Sequence, residues 1–532
     1  MINSRSLFGF GRQLSIQSSF HLGDGFNCFH GDSISRPLSS FTVTNEKSLD
    51  DVPCVSSIPY VGSILHYIEA FGGHNPAKIH ELSEKRFHQF GSIYKEDMRL
   101  LRPGGKFMVW LNDANDVEKV FRSGGKYPLR GGFESLTVYR KTRPDVYKAL
   151  GLPILSGPEW QSLRSKVQPV LLLPKVMNAY AKSLSSIADE MIGVIRDLRD
   201  NQTMEIEDLT VELYRYTLES IAFIGLDKRL NCLSDYGPTQ REIVAAVKEM
   251  FHLEAKLNDS ALWRIVGRPI GSKWARFFEI NDHFTKMVFD YVSEKLKQIL
   301  ANPIKQEDED RSVLELFLTR PNCTPEDAVT MVMDMFFAGI DTTAHYIVFT
   351  LHYLANNPEI QERVYHEINS LSNGTGNLDS DGLAQLTLLK ACLKETSRLT
   401  PVTPMSMRIN QEPINLSGYS ISPSCFMVFN HYVMGRRPDY FDEPMRFNPD
   451  RWIRESPGEN KYHPFAILPF GFGVRMCVGR RIAEIETLIL LCKIITNFKV
   501  TAKRIELPTS MNIISYPDNP MTFTFNERQS NN

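Results

Sequence analysis

Ten residues near the C-terminus, Phe470 to Gly479, read FGFGVRMCVG and set a single cysteine, Cys477, in a loop that leaves few folds open. Gly471 and Gly473 allow backbone angles closed to other residues, which a loop needs when it passes close beneath a flat macrocycle. Phe470 can shield one side of the sulfur, and Arg475 can reach a propionate as a forked cation. Gly479 opens the run Ile482, Ala483, Ile485, Leu488, Ile489 and Leu490, whose spacing predicts a buried helix. Cys477 therefore stands at a helix N-terminus, where the helix dipole and free N–H groups favour thiolate over thiol. A thiolate so placed can ligate haem iron.

The bland alternative is an ordinary core cysteine. Chance, however, yields F-x-x-G-x-R-x-C-x-G in a chain this long only about once in ten thousand. Through Phe470, Gly473, Arg475, Cys477 and Gly479 the sequence resembles the cytochrome P-450 haem-thiolate superfamily, over roughly residues 50 to 527. The resemblance implies a mainly α (α+β) fold: a helix-rich prism with small β-sheets and a long central helix over the haem. It also implies haem b as cofactor and Cys477 as its axial ligand.

Thr324-Pro325-Glu326-Asp327 is a helix start, with a hydroxyl cap, proline at the first helical position and an acid at the third. No breaker follows before about Ala355, which predicts that central helix. Within it lies Ala338-Gly339-Ile340-Asp341-Thr342-Thr343. Ala338 and Gly339 remove bulk where a flat cofactor could press, and Gly339 costs about 1 kcal/mol of helix stability relative to alanine. A carboxylate followed by a hydroxyl can pass a proton, although mid-helix threonines commonly bond back to a carbonyl. The hexapeptide resembles the family's oxygen-activation motif, which makes Thr342 the proton-delivery alcohol and Asp341 its acidic neighbour.

Glu395 and Arg398 are three apart on a predicted helix and share a face. They match the family's E-x-x-R pair, and the resemblance makes Arg446, in Pro444-Met-Arg-Phe447, the third member of a buried structural triad. Met445 stands where the family has Glu, and Ser397 where an apolar residue is usual. Phe447, Pro449, Arg451 and Trp452 fit the family's F-x-P-x-R-W run. Trp160 and Arg164 fit its W-x-x-x-R helix, implied with Arg408 and Arg475 to hold the haem propionates.

The 532 residues carry a net charge of −2 and no C-x-x-C pair, so nothing suggests nucleic acid or a zinc site. Residues 1–45 form the predicted presequence or flexible N-terminus: Arg5 and Arg12 lie opposite Leu7, Phe10 and Leu14, and no acid precedes Asp24, the pattern of a mitochondrial import signal. A single haem domain is expected over 46–528, with a tail at 529–532. It should be mostly helical beyond Pro153, with strands around 92–98 and 106–111 and in the tail region 499–525. Polar loops are expected around 302–310 and 373–381. No flavin or nicotinamide site is evident, because Met476 replaces the third glycine of a dinucleotide fingerprint.

Electrons must then come from another protein. Lys390 and Lys394 on the E-x-x-R helix, and Arg480 and Arg481 after the cysteine loop, concentrate positive charge suited to an acidic carrier. The pattern C-x-G-R-R-x-A-E resembles the family's mitochondrial clan, with an animal or invertebrate member expected. This implies electrons from NADPH through a ferredoxin reductase and an adrenodoxin-like ferredoxin. Leu262 to Val266 can dip into an interface, so peripheral attachment to the matrix side of the inner membrane is expected. The expected reaction is insertion of one atom of O2 into a small apolar substrate, steroid- or sterol-like or xenobiotic. An O2-independent isomerase or dehydratase on the same fold, or a haem sensor or gas-binding protein, are the alternatives. Pocket candidates are the segment 127–147, Phe336, Phe337, and the segments 402–406 and 509–514.

Overall fold

The computed structural model describes residues 47–67, 73–98, 107–172, 174–258, 269, 271–301, 311–453 and 462–528, with side chains left out at 174–179, 258 and 300. By contacts the chain divides between Asn45 and Glu46. The presequence with Arg5 and Arg12, the 302–310 loop, the Leu262–Val266 segment and the 529–532 tail lie outside the described residues.

The predicted central helix runs from Pro325 to Ala355. The Thr324 hydroxyl accepts from the Asp327 N–H at 3.1 Å, and the Asp327 carboxylate accepts from the Thr324 N–H at 3.3 Å. This reciprocal cap satisfies two N–H groups that would otherwise lack partners. The helix is buried along most of its length, as expected of a helix that is apolar all round. The larger helices include α1 (Gly157–Leu171), α2 (Pro174–Leu198), α3 (Leu209–Leu226), α4 (Pro238–Asn258), α5 (Ser272–Ala301), the central helix as α6, α7 (Leu388–Leu399) and α8 (Arg480–Asn497), of which α3, α4, α5, α7 and α8 pack on α6. Contact between α3 and α6 is close: a Cβ placed on Gly339 would meet the Ile221 side chain at 3.0 Å. The cost of that glycine is thus offset by the approach of α3.

The larger sheet has the order β1-β2-β4-β3, with β1 Ile93–Glu96, β2 Met108–Leu111, β3 Met405–Ile409 and β4 Phe426–Asn430. β1 and β2 are antiparallel with Tyr94 opposite Trp110, whose rings stack at 5.7 Å, while β2 and β4 run parallel. β3 lies antiparallel to β4 with Arg408 opposite Met427. Toward the C-terminus, where strands are expected over 499–525, β5 (Phe498–Ala502) pairs with β6 (Phe523–Glu527). A hairpin of Thr509–Met511 with Ser515–Pro517 brings Ile513 and Ile514 to the cavity described below. The main core is made by the helices, and a second cluster packs beneath the larger sheet. Each large apolar side chain so buried contributes about 1.5–3 kcal/mol.

Candidate active site

A cavity of about 1320 Å3 separates the Cys477 loop from the middle of α6. Gly471 and Gly473 both have φ near +72°, which gives a physical reason for glycine at each. The Cys477 N–H donates to the Phe470 carbonyl at 2.8 Å, and the loop turns through a short 3-10 segment, Gly473–Arg475, into α8. The Cys477 sulfur opens on the cavity. Burial away from bulk water raises its thiol above the usual range, while the Gly479 N–H, Arg164 and Arg130 pull the other way. The N–H effect expected from the sequence is present at Gly479, and desolvation outweighs it. Phe470 stands beside it, edge-on to Tyr346 with centroids 6.0 Å apart.

Four arginines from four parts of the chain line this cavity: Arg130, Arg164, Arg408 and Arg475. Among the described residues none is paired with a carboxylate. Arg475 is tied to main-chain carbonyls, donating to Pro128 and Leu155 at 3.0 Å each, and its guanidinium lies 4.0 Å over the Trp160 ring. Burial, then repulsion by Arg130, Arg408 and Arg164, pushes Arg475 down to about 9; burial and Arg130 push Arg408 down to about 10. Both guanidinium groups remain charged at neutral pH, desolvated and crowded by like charges. The Arg164 Nη2 is buried without a partner. Four mutually repelling cations beside an open thiol fit an anionic macrocycle with two propionates. Trp160, Arg164, Arg408 and Arg475 are thereby brought together, and Arg130 joins them. Its only sequence signal was a lone cation before the glycine pair Gly131-Gly132.

On the opposite wall, Ala338, Gly339 and Thr342 face the cavity. The Thr342 hydroxyl donates to the Ala338 carbonyl at 2.7 Å, so its oxygen is left to accept from the cavity side. Asp341 is not beside it. The carboxylate is buried on the face of α6 against α3, with Oδ1 3.6 Å from His345 Nδ1, and it does not line the cavity. Beyond Thr342 the cavity wall is mostly apolar, with His252, Lys256, Lys273 and Asp334 also lining it. Phe337 stacks on Phe251 at 4.7 Å and meets Phe133 edge-on at 6.0 Å, whereas Phe336 points into the core against Gly225.

The expected structural triad needs a correction. Glu395 and Arg398 are fully buried and joined at 2.7 and 2.9 Å. The second arginine on Glu395 is Arg451, at 2.9 Å, and Trp452 and the Asn448 N–H also donate to that carboxylate. The Arg446 side chain is exposed and pairs with Glu443; only its main-chain carbonyl takes part, accepting from Arg398 at 3.1 Å. The short helix Pro449–Trp452 turns Arg451 inward, and Arg446 precedes that turn. Ser397 bonds back to the Leu393 carbonyl at 3.0 Å, and Met445 lies exposed at 67%.

Lys390 is half-buried and donates to the Ala384 carbonyl at 2.7 Å, and Lys394 is exposed one turn further along α7. Burial lowers the Lys390 ammonium, Glu484 and Glu367 oppose this, and Arg481 adds to it. The α7 lysines and the start of α8 therefore share a face. Arg480 spends its charge on Glu484 at 2.8 Å, and Arg481 is exposed.

The sequence model of the family described as Cytochrome P450 matches residues 52–525. The chain is 30% identical over 506 residues to the probable cytochrome P450 49a1 of Drosophila melanogaster, covering 92% of this chain and 85% of that protein. It is 31% identical to the mitochondrial 25-hydroxyvitamin D-1 alpha hydroxylase of Rattus norvegicus (90% and 93% covered) and 29% identical to the mitochondrial sterol 26-hydroxylase of Homo sapiens (89% and 89%). Among solved structures, a cytochrome P450DA haem domain superposes with a TM-score of 0.72 at 19% identity, covering 90% of this chain and 98% of that one. A cysteine loop facing a cation-lined cavity under a long helix, matched along nearly the whole described chain, places this protein in the cytochrome P450 family of monooxygenases, which carry haem b on a cysteine thiolate.

Proposed function

We propose that this protein is a mitochondrial hydroxylase that inserts one atom of O2 into an apolar, sterol-like substrate. Its electrons would come from NADPH through a ferredoxin reductase and an adrenodoxin-like ferredoxin. The observation that carries the reading is the cavity itself, with a thiol and four unpaired arginines at one end and Phe133, Phe251 and Phe337 at the other. An apolar pocket with few polar groups suits a rigid hydrocarbon substrate. The names of the relatives, a vitamin D hydroxylase and sterol hydroxylases, both mitochondrial, support the same substrate class and compartment. No helix among the described residues is long and apolar enough to cross a membrane, which accords with peripheral attachment to the matrix side of the inner membrane.

In this reading Cys477 would hold the haem iron, and Trp160, Arg164, Arg408 and Arg475, with Arg130, would hold the propionates. Phe470, Gly473 and Gly479 shape the ligand loop. Haem, when bound there, supplies the redox iron that activates oxygen. The chain's own task is to exclude water and to hold protons in place. Thr342 keeps its hydrogen on the Ala338 carbonyl and offers its oxygen to the cavity, while Asp341, one residue earlier and turned toward α3, would be the acidic group of the route, reached only through intervening water. Lys390, Lys394, Arg480 and Arg481 receive the ferredoxin.

The deciding experiment is spectroscopic. Replacing Cys477 with Ala should abolish the band of reduced, CO-bound thiolate haem; its survival would falsify the ligand assignment. With ferredoxin, its reductase and NADPH, wild-type protein should turn over a sterol that shifts its resting spectrum. Thr342→Ala should divert about 100-fold more of the flux to peroxide, the scale of a lost proton-transfer group. Product formed without O2 would instead identify an isomerase or dehydratase. Converting Lys390 and Lys394 to Glu should slow reduction by ferredoxin while leaving substrate affinity unchanged.

A further inference from the structure

Asp341 and His345 lie one turn apart on the face of α6 that packs against α3. Their side chains are 7% and 3% exposed, and Asp341 Oδ1 and His345 Nδ1 face each other at 3.6 Å. Neither atom has a partner at ordinary hydrogen-bond distance. The other ring nitrogen of His345, Nε2, is 3.3 Å from the hydroxyl of Tyr214 on α3, a residue only 2% exposed. Outside Tyr214 lies Lys248 of α4, itself exposed, with its ammonium 4.7 Å from the ring centroid. Phe349, one turn further along α6, stacks on the imidazole at 5.7 Å and fixes its plane. A row of polar groups therefore runs from the Tyr214 hydroxyl through His345 to the carboxylate one residue before Thr342.

The protons on this chain follow from what each group can do. Burial holds the Tyr214 phenol well above its usual pKa, so it is an O–H donor at neutral pH. Its oxygen also faces the Asp341 carboxylate, which gives that O–H two candidate acceptors. If it donated to Asp341, the His345 Nδ1 lone pair would point at Asp341 Oδ1, two acceptors in a buried site. If it donates to Nε2, the ring proton lies on Nδ1 and points at the carboxylate across 3.6 Å, so a donor rather than a second lone pair faces Oδ1. A buried site disfavours two facing acceptors, so the arrangement with the proton on Nδ1 is the stable one. Burial also lowers the His345 pKa, with Asp341 and Asp208 opposing and Lys248 assisting, so the ring is neutral.

We propose that His345, oriented by Tyr214, is the positioning residue for Asp341. It carries its proton on Nδ1, directs that proton at the carboxylate, and holds the carboxylate on the α3 face, one residue from the cavity hydroxyl of Thr342. This rests on the reading of Asp341 and Thr342 as the proton route. The sequence pattern gives His345 no such role, because it shows a histidine four residues after an acid without showing which helix faces them.

The first test does not involve turnover. In the diamagnetic, CO-bound ferrous holoenzyme labelled with 15N-histidine, one ring assigned by its loss in His345→Gln should be protonated on Nδ1. That signature should disappear in Tyr214→Phe. A proton on Nε2, or an unchanged ring in Tyr214→Phe, overturns the proposal. The second test is the pH profile of peroxide release during turnover. His345→Gln, whose amide N–H can replace Nδ1–H, should stay within about twofold of wild type, while His345→Leu should leak about tenfold more, short of the ~100-fold for a lost proton-transfer group. Equal leak from the Gln and Leu variants across pH would also overturn it. If Thr342→Ala leaves coupling unchanged, the proton route fails, and the tautomer alone then decides whether His345 positions Asp341.

Discussion

Two groups of buried arginines in this molecule share a chemistry and differ in outcome. Arg398 and Arg451 close on Glu395, whose two oxygens accept from Arg398, Arg451, Trp452 and the Asn448 N–H. Arg130, Arg164, Arg408 and Arg475 line the cavity with no carboxylate among them, each weakened as a base by burial, and Arg408 and Arg475 by neighbouring cations as well. The first group is complete within the chain and holds the segment before the Cys477 loop. The second is complete only when an anion from outside arrives. A satisfied charge cluster marks architecture, and an unsatisfied one marks a binding site, because a buried charge is tolerated only where something compensates it.

The contrast breaks most visibly at Glu395. Glu395→Ala leaves two guanidinium groups buried and unpaired, which should cost about 3–5 kcal/mol. Denaturant unfolding of the CO-competent holoenzyme should show a loss of that order, together with poor haem incorporation during expression. A loss under 1 kcal/mol would mean that the cluster is not closed as described.

Acid should then strain the open group. His431 is 5% exposed, donates to or accepts from Ser406 at 2.8 Å, and is pushed down to about 4 by burial and by Arg408. A histidine held neutral in the fold binds fewer protons there than in the unfolded chain, so stability is full above the unfolded pKa of 6.5 and falls as pH drops from 6.5 toward 4. The difference of 2.5 units corresponds to about 3 kcal/mol at pH 4. His431→Gln should flatten this part of the stability–pH curve. An unchanged slope would show that the proton goes elsewhere.

How much of this could be read from the chain depended on distance along it. The Cys477 loop and the start of α6 were legible because their constraints are local: φ near +72° at Gly471 and Gly473, and a cap spanning Thr324 to Asp327. Glu395 with Arg398, three apart on one helix, was legible for the same reason. Arg446 was mistaken for the next member because five residues separate it from Arg451, and only the turn at Pro449–Trp452 decides which guanidinium faces inward. Arg130 and His345 were missed because their partners come from other elements. Asp341 does not share the cavity wall with Thr342, since adjacent helical positions differ by about 100° in direction.

The open group makes a prediction whose sign depends on the cofactor. Arg164→Met removes one of four repelling cations together with a buried, partnerless Nη2. Without haem the variant should be as stable as wild type or up to about 1 kcal/mol more so, since a buried charge has been replaced by an apolar group of similar length. With haem it should lose a propionate contact and release the cofactor faster. Haem transfer to an apo-globin acceptor and unfolding of the apoprotein measure the two halves. Destabilisation of both forms alike would make Arg164 an architectural residue and erase its contrast with Arg398.

The smallest effect sharpens the comparison furthest, because it separates two arginines five residues apart. The Arg446 guanidinium is 66% exposed and meets Glu443, itself 68% exposed, at 2.9 Å. Such pairs are worth about 0–1 kcal/mol and less in salt. Arg446→Ala should therefore change stability by no more than about 0.5 kcal/mol, because the carbonyl that Arg398 uses belongs to the backbone and survives the substitution. Arg451→Ala removes a buried partner of Glu395 and should cost several times as much. Measured side by side at low and at high salt, Arg446→Ala should lose what little effect it has as salt rises, while the Arg451→Ala effect persists. The reverse ranking would restore Arg446 to the buried triad and move Arg451 to the surface.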